Sequence, residues 1–285
     1  MAEKKLEGKS NLRSTRPDLA SILGLLVALG GIIGGLVMEG GKVSDVTQVT
    51  AAIIVLGGTL GAVMLTSPLP ALIGAAKSLK KVFFEETIHS EAAVEEIIGY
   101  ATKARKSSII SLEEDLDKIA DPFLRKALSL AVDGTDLQEL RTMMELELTQ
   151  AERHAETDAK VFEAAGGYSP TIGIIGAVMG LIQVMKHLEN IEEVGRGIAV
   201  AFVATVYGVA VANLFFLPAA SKIKARIHND VSAKELMLEG VISIVEGMNP
   251  KLIRVKLEAF LHEKGSTKKA KAGSAAETSQ AVPAR

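Results

Sequence analysis

LASILGLLVALGGIIGGLVM, residues Leu19–Met38, contains no Asp, Glu, Lys, Arg or His from end to end. A helix of this length rises about 30 Å, the thickness of the hydrocarbon core of a bilayer. Three further stretches share the property: Val46–Leu65, Tyr168–Met185 and Ile198–Leu217. A charge at mid-membrane costs at least about 2.5 kcal/mol on insertion scales, so the four read as spanning helices. The first run is too long for a signal-peptide core and lacks an A-x-A exit, so it is read as a retained span. Composition agrees: 48% apolar and 23% charged residues in one chain must lie in different places, and 26 Gly with no Trp suits close helix packing in lipid.

Lys and Arg near the span ends give the orientation. Five precede the first span, Lys77, Lys80 and Lys81 follow the second, and Lys222, Lys224 and Arg226 follow the fourth. The connection after the first span has only Lys42, and the one after the third sets Lys186 and Arg196 among Glu189, Glu192 and Glu193. Both termini and the long middle segment are therefore expected to be cytoplasmic.

The middle segment, from about residue 77 to 166, repeats its apolar residues at three and four, which predicts helices rather than strands. Val94, Ile97, Ile98, Ala101 and Ala104 form one stripe; Leu137, Leu140, Met144 and Leu148 form another. Ser111 with Glu114, and Asp136 with Glu139, fit a helix-capping pattern, and Asp133-Gly134 marks a turn. The expected fold is all-α: a polytopic membrane protein with four transmembrane helices and a cytoplasmic helical domain between the second and third. The divisions are 1–18 as a cytoplasmic N-terminus, 19–66 as spans one and two, and 67–166 as the cytoplasmic domain. Spans three and four follow at 167–219, amphipathic C-terminal helices at 220–264, and a disordered tail at 265–285.

Net charge is −2 and no basic footprint for nucleic acid is present. The absence of Cys removes disulfides, thiolate metal sites and Cys nucleophiles. The five His show no metal-ligand spacing, and no phosphate loop, nucleophile elbow or dinucleotide fingerprint appears, so neither an enzyme nor a cofactor is expected. Within the spans, Gly30/Gly34, Gly31/Gly35, Gly57/Gly61 and Gly176/Gly180 are spaced for close helix approach. Ala201, Thr205, Gly208 and Ala212 make a small, mildly polar stripe that either packs on another helix or lines a hydrated path. Pro170 and Pro218 read as punctuation, opening the third span and closing the fourth. In the middle segment, Arg105-Lys106, Glu113 and Glu147 are charges without a catalytic set. A proton crossing lipid needs a titratable group at membrane depth, and the spans carry no Asp, Glu, His, Lys or Arg. If this chain conducts protons, a partner supplies the carboxylate.

LGGIIGGLVMEGG, ARKSSIISLEED, Ser169-Pro170 followed by GIIGAVMGLI, and AFVATVYGVAVAN leading to Pro218 together resemble the MotA/PomA family of flagellar stator subunits, and more distantly ExbB/TolQ proton channels. The resemblance runs over roughly residues 19–250. It implies a pentameric ring around a MotB/PomB-like single-span partner whose Asp carries the ion, driving the rotor protein FliG. It implies rotor contact for Arg105, Lys106 and Glu113, with Glu147 a looser match, and a coupling role for Pro170 and Pro218. Thr205 matches a threonine lining the ion path. Sodium-driven members place Thr where this chain has Ala177, which favours H+ over Na+ as the transported ion. An ExbB/TolQ-like energiser would show three spans with its large loop after the first, and a non-conducting scaffold would also suit the packing glycines.

Overall fold

The computed structural model describes residues 13–260. They form two compact units: residues 15–86 with 151–228, and residues 87–150 with 13–14 and 229–260. Four helices are long and apolar enough to cross a membrane, all with segments in the first unit.

In that unit, β1 (Arg13–Pro17) leads into α1 (Leu19–Met38), which coincides with the first expected span. The Asp18 carboxylate accepts from the Ser21 amide at 3.2 Å, capping a helix start that would otherwise leave its amides unpaired. The second span is built in three pieces, α2 (Val49–Ala52), a π segment at Ile53–Gly57 and α3 (Gly58–Thr66). After it come α4 (Leu69–Ser78), α5 (Lys80–Phe83) and β2 (Phe84–Ile88). β2 pairs with β1 in a two-stranded sheet, so the segment read as helical from residue 77 contains one strand. The Asp18 amide donates to Phe83 O at 2.8 Å beside that sheet.

The second unit contains α6 (Ser90–Ser107), a 3-10 helix at Ile109–Lys118 and α7 (Pro122–Val132). It also holds the start of α8 (Leu137–Lys186), the end of α10 (Leu217–Val245) and a helix over residues 250–260. Both expected stripes face its core: Val94, Ile97 and Ala101 are buried, as are Leu140, Met144 and Leu148, against Leu128, Met237 and Ile242. Burying one such Leu or Ile contributes about 1.5–3 kcal/mol, enough for these stripes to fix the fold of a small helical unit. Asp136 caps α8 by accepting from Gln138 N at 2.9 Å, and Gly134 takes the turn with φ 78°. Ser111 does not cap. Its hydroxyl donates to Ser108 O at 2.7 Å inside the 3-10 helix, and the next true cap is Asp121, which accepts from Phe123 N at 2.9 Å ahead of Pro122.

Neither proline stops the helical run that it lies in. Pro170 lies inside α8, 50 residues long, and removes only the bond that its amide would have made to Gly166 O. The fourth span also runs on, as α9 (Ile191–Val211), a π segment at Ala212–Phe216 and then α10, with Pro218 in the first turn of α10. A π segment changes which carbonyl each amide meets, and so lets the chain absorb a missing donor without breaking the helix. The disordered tail expected at 265–285, and residues 261–264 of the C-terminal helices, lie outside the described residues.

Candidate functional site

The last third of α8 and the length of α9 approach at backbone distance. A Cβ built on Gly180 would lie 2.7 Å from Gly197 O, and one on Gly173 would lie 2.9 Å from Ala204 O. One on Gly208 would meet Ser169 O at 2.6 Å. Only hydrogen fits at these positions, which is why three glycines recur where two spans cross. The fully buried Ser169 hydroxyl donates to Gly208 O at 3.0 Å and ties the residue before Pro170 to the fourth span. At the other side of this span, the Tyr207 hydroxyl donates to Val46 O at 2.6 Å and accepts from Gln48 N at 3.3 Å, holding the second span.

This arrangement divides the stripe on α9. Ala201, Gly208 and Ala212 are buried in packing, whereas Thr205 is half-buried, with its hydroxyl donating to Ala201 O at 3.2 Å. A hydroxyl bound back to its own helix keeps oxygen lone pairs free, so Thr205 can accept from a hydrated ion or water. Ala177, on α8, is also half-buried. Thr59, in α3, was missed by sequence reading: it is 2% exposed and its hydroxyl has no hydrogen-bond partner. A lone Thr in an apolar run gives no signal of this.

Where α1 begins, the buried Asp18 carboxylate meets Lys222 Nζ and Arg226 Nη2, each at 2.5 Å, and Arg226 also pairs with Glu85. Burial opposes ionisation of Asp18, but hydrogen bonds from Lys222 and the Ser21 amide, with the charges of Lys222 and Arg226, outweigh it and hold its pKa at about 2. Lys224 pairs with Glu163 at 2.7 Å. The cations that follow the fourth span are thus all committed to partners within the chain.

The second unit carries the charged positions. Arg105 and Lys106 are exposed in the last turn of α6, and Glu113 is exposed on the 3-10 helix. Ser108, with φ 74°, makes the sharp turn between them. The Lys103–Asp115 ion pair at 2.6 Å fastens the 3-10 helix to α6. Burial works against ionisation of Asp115, yet Lys103 and Lys118 outweigh it and hold the carboxyl below its usual range. No other described residue pairs with Arg105, Lys106 or Glu113. Glu147 differs: on α8 it is ion-paired with Lys126 of α7. The structure therefore brings three of the four charges to one free corner and engages the fourth elsewhere. Among the described residues no group of three His, Asp or Glu could hold a metal ion.

Two family models match the chain: the motility protein A N-terminal region over residues 22–107 and the MotA/TolQ/ExbB proton channel family over residues 115–236. Motility protein A of Bacillus subtilis is 34% identical over 262 residues, covering 90% of this chain and 96% of that one. The flagellar MotAB stator complex from Bacillus subtilis matches with a TM-score of 0.80 at 34% identity, covering 89% of this chain and 100% of that one. MotAB of C. jejuni matches with a TM-score of 0.80 at 31% identity, covering 85% of this chain and 95% of that one.

Proposed function

Because the chain belongs to the motility protein A family of MotA/TolQ/ExbB proton channels, we propose that it is the ring-forming stator subunit of a bacterial flagellar motor. With a MotB-like single-span partner it builds an ion channel that couples ion flow to torque. One observation carries this reading: four spans without an Asp, Glu, His, Lys or Arg at membrane depth make a channel wall that needs another subunit's carboxylate. Five copies form the ring in the inner membrane, with both termini and the domain over 67–166 in the cytoplasm.

Thr205 lines the path and Ala177 stands where a second hydroxyl would favour sodium, so the ion is a proton. Pro170 in α8 and Pro218 beside the π segment are the points at which the spans yield as the partner's Asp changes charge. Arg105, Lys106 and Glu113 press on FliG. Glu147 contributes through its pair with Lys126, which sets the local charge of that face.

Swimming speed against sodium concentration, with and without a protonophore, tests the coupling ion in cells that depend on this chain. Swimming that stops with the protonophore at every sodium concentration is the expected result. Sodium-dependent swimming that survives the protonophore contradicts the assignment from Ala177.

A further inference from the structure

α4 begins immediately beyond the second span, after Ser67-Pro68, and its rotation about its own axis is fixed. Ala71, Ala75 and Ser78 of α4, and Val82 of α5, are buried on one side. There the Ser78 hydroxyl donates to Asp158 Oδ2 at 2.6 Å, and a Cβ on Gly74 would lie 2.2 Å from Asp158 Oδ1. The carboxylate of α8 thus occupies the space that a side chain at position 74 would need.

With that side fixed, the opposite side is determined too. Leu69 is 65% exposed and Ile73 49% exposed, and Lys77, Lys80 and Lys81 follow, all exposed. Order along the helix matters: the apolar pair lies next to the span and the three lysines lie farther from it. Among the described residues none of these lysines has a hydrogen bond or ion pair, unlike Lys222, Lys224 and Arg226. An exposed face that passes from apolar to cationic as it leaves a membrane span matches the polarity gradient of a lipid interface.

We propose that this face of α4 and α5 docks onto the cytoplasmic leaflet, with Lys77, Lys80 and Lys81 binding the phosphate groups of anionic phospholipids. Leu69 and Ile73 enter the acyl boundary, and the unpaired ammonium groups meet headgroups of opposite charge. The Asp158 contacts hold the helix at the angle that makes this possible. This inference rests on the cytoplasmic placement of the segment given above.

The test uses the full chain, purified with its partner in neutral detergent, and compares binding of phosphatidylglycerol and phosphatidylcholine by native mass spectrometry. The unaltered complex should prefer phosphatidylglycerol. Lys77→Gln, Lys80→Gln and Lys81→Gln combined should lower that preference by more than about tenfold. The same three positions changed to Arg, which keeps the charge, should retain it. Equal preference in the Gln and unaltered complexes overturns the proposal. So does a Gln variant that breaks the ring apart with no lipid added, because the face would then be a contact between subunits. A reporter fused to the C-terminus separates the two levels: reversed orientation counts against the placement, and an unchanged lipid ratio counts against the surface.

Discussion

Gly208→Val should abolish swimming and sharply reduce the complex recovered from membranes. A Cβ there would sit 2.6 Å from Ser169 O and 3.1 Å from Gly173 Cα, and both are backbone atoms of a packed helix. Neither can rotate away as a flexible side chain would. The third and fourth spans must separate, which breaks the Ser169–Gly208 bond and reopens the Gly173 contact as well. Overpacking of this kind costs about 1–3 kcal/mol even where neighbours can shift, and more where backbone opposes backbone. Gly31→Ala is the matched control: a Cβ at Gly31 meets nothing within 4 Å in this chain. Soft-agar spreading and size-exclusion chromatography of detergent extracts read both variants. Normal spreading by Gly208→Val would show that this crossing is looser than described.

Reversing the free charges should be the second large effect. Arg105 and Glu113 are exposed and lack partners among the described residues, so Arg105→Glu with Glu113→Lys leaves the fold of the unit intact and changes only what an outside surface meets. Like charges brought together at an interface cost several kcal/mol, enough to stop productive contact. The double variant should accumulate normally, assemble, and fail to swim. Glu147→Gln should do less, because it removes an exposed pair with Lys126 that contributes only about 0–1 kcal/mol. If cells with both reversals swim normally, the assignment of this corner to the rotor is wrong.

The spans were legible because one physical rule governs them: charge is excluded from lipid. Leu19–Met38 could be placed to the residue on that basis. The cytoplasmic stripes were legible for a similar reason, since helical periodicity survives in Ile97, Leu140 and Met144 wherever a core must be filled. Pro170 misled because a proline in a sequence looks alike at a helix start and inside a helix that tolerates one lost bond. The β1–β2 pair was hidden because RSTRP and FEETI are short, charged and lack alternation. At the candidate site, the pattern of glycines showed that helices approach but not which helices. The structure divides them: Gly176 and Gly180 are filled from α9, while Gly30, Gly31, Gly34 and Gly35 face nothing in the chain. The Lys126–Glu147 pair was equally invisible, because it joins positions far apart in sequence through packing alone.

The charge-free spans carry the central claim, that this chain forms the wall of a pathway whose titratable group belongs to another subunit. Proton flux into vesicles measures it directly, comparing the chain alone, the chain with its single-span partner, and the chain with that partner's mid-span Asp changed to Asn. Flux is predicted only for the intact pair. Flux through the chain alone, or through the pair with Asn, would contradict it.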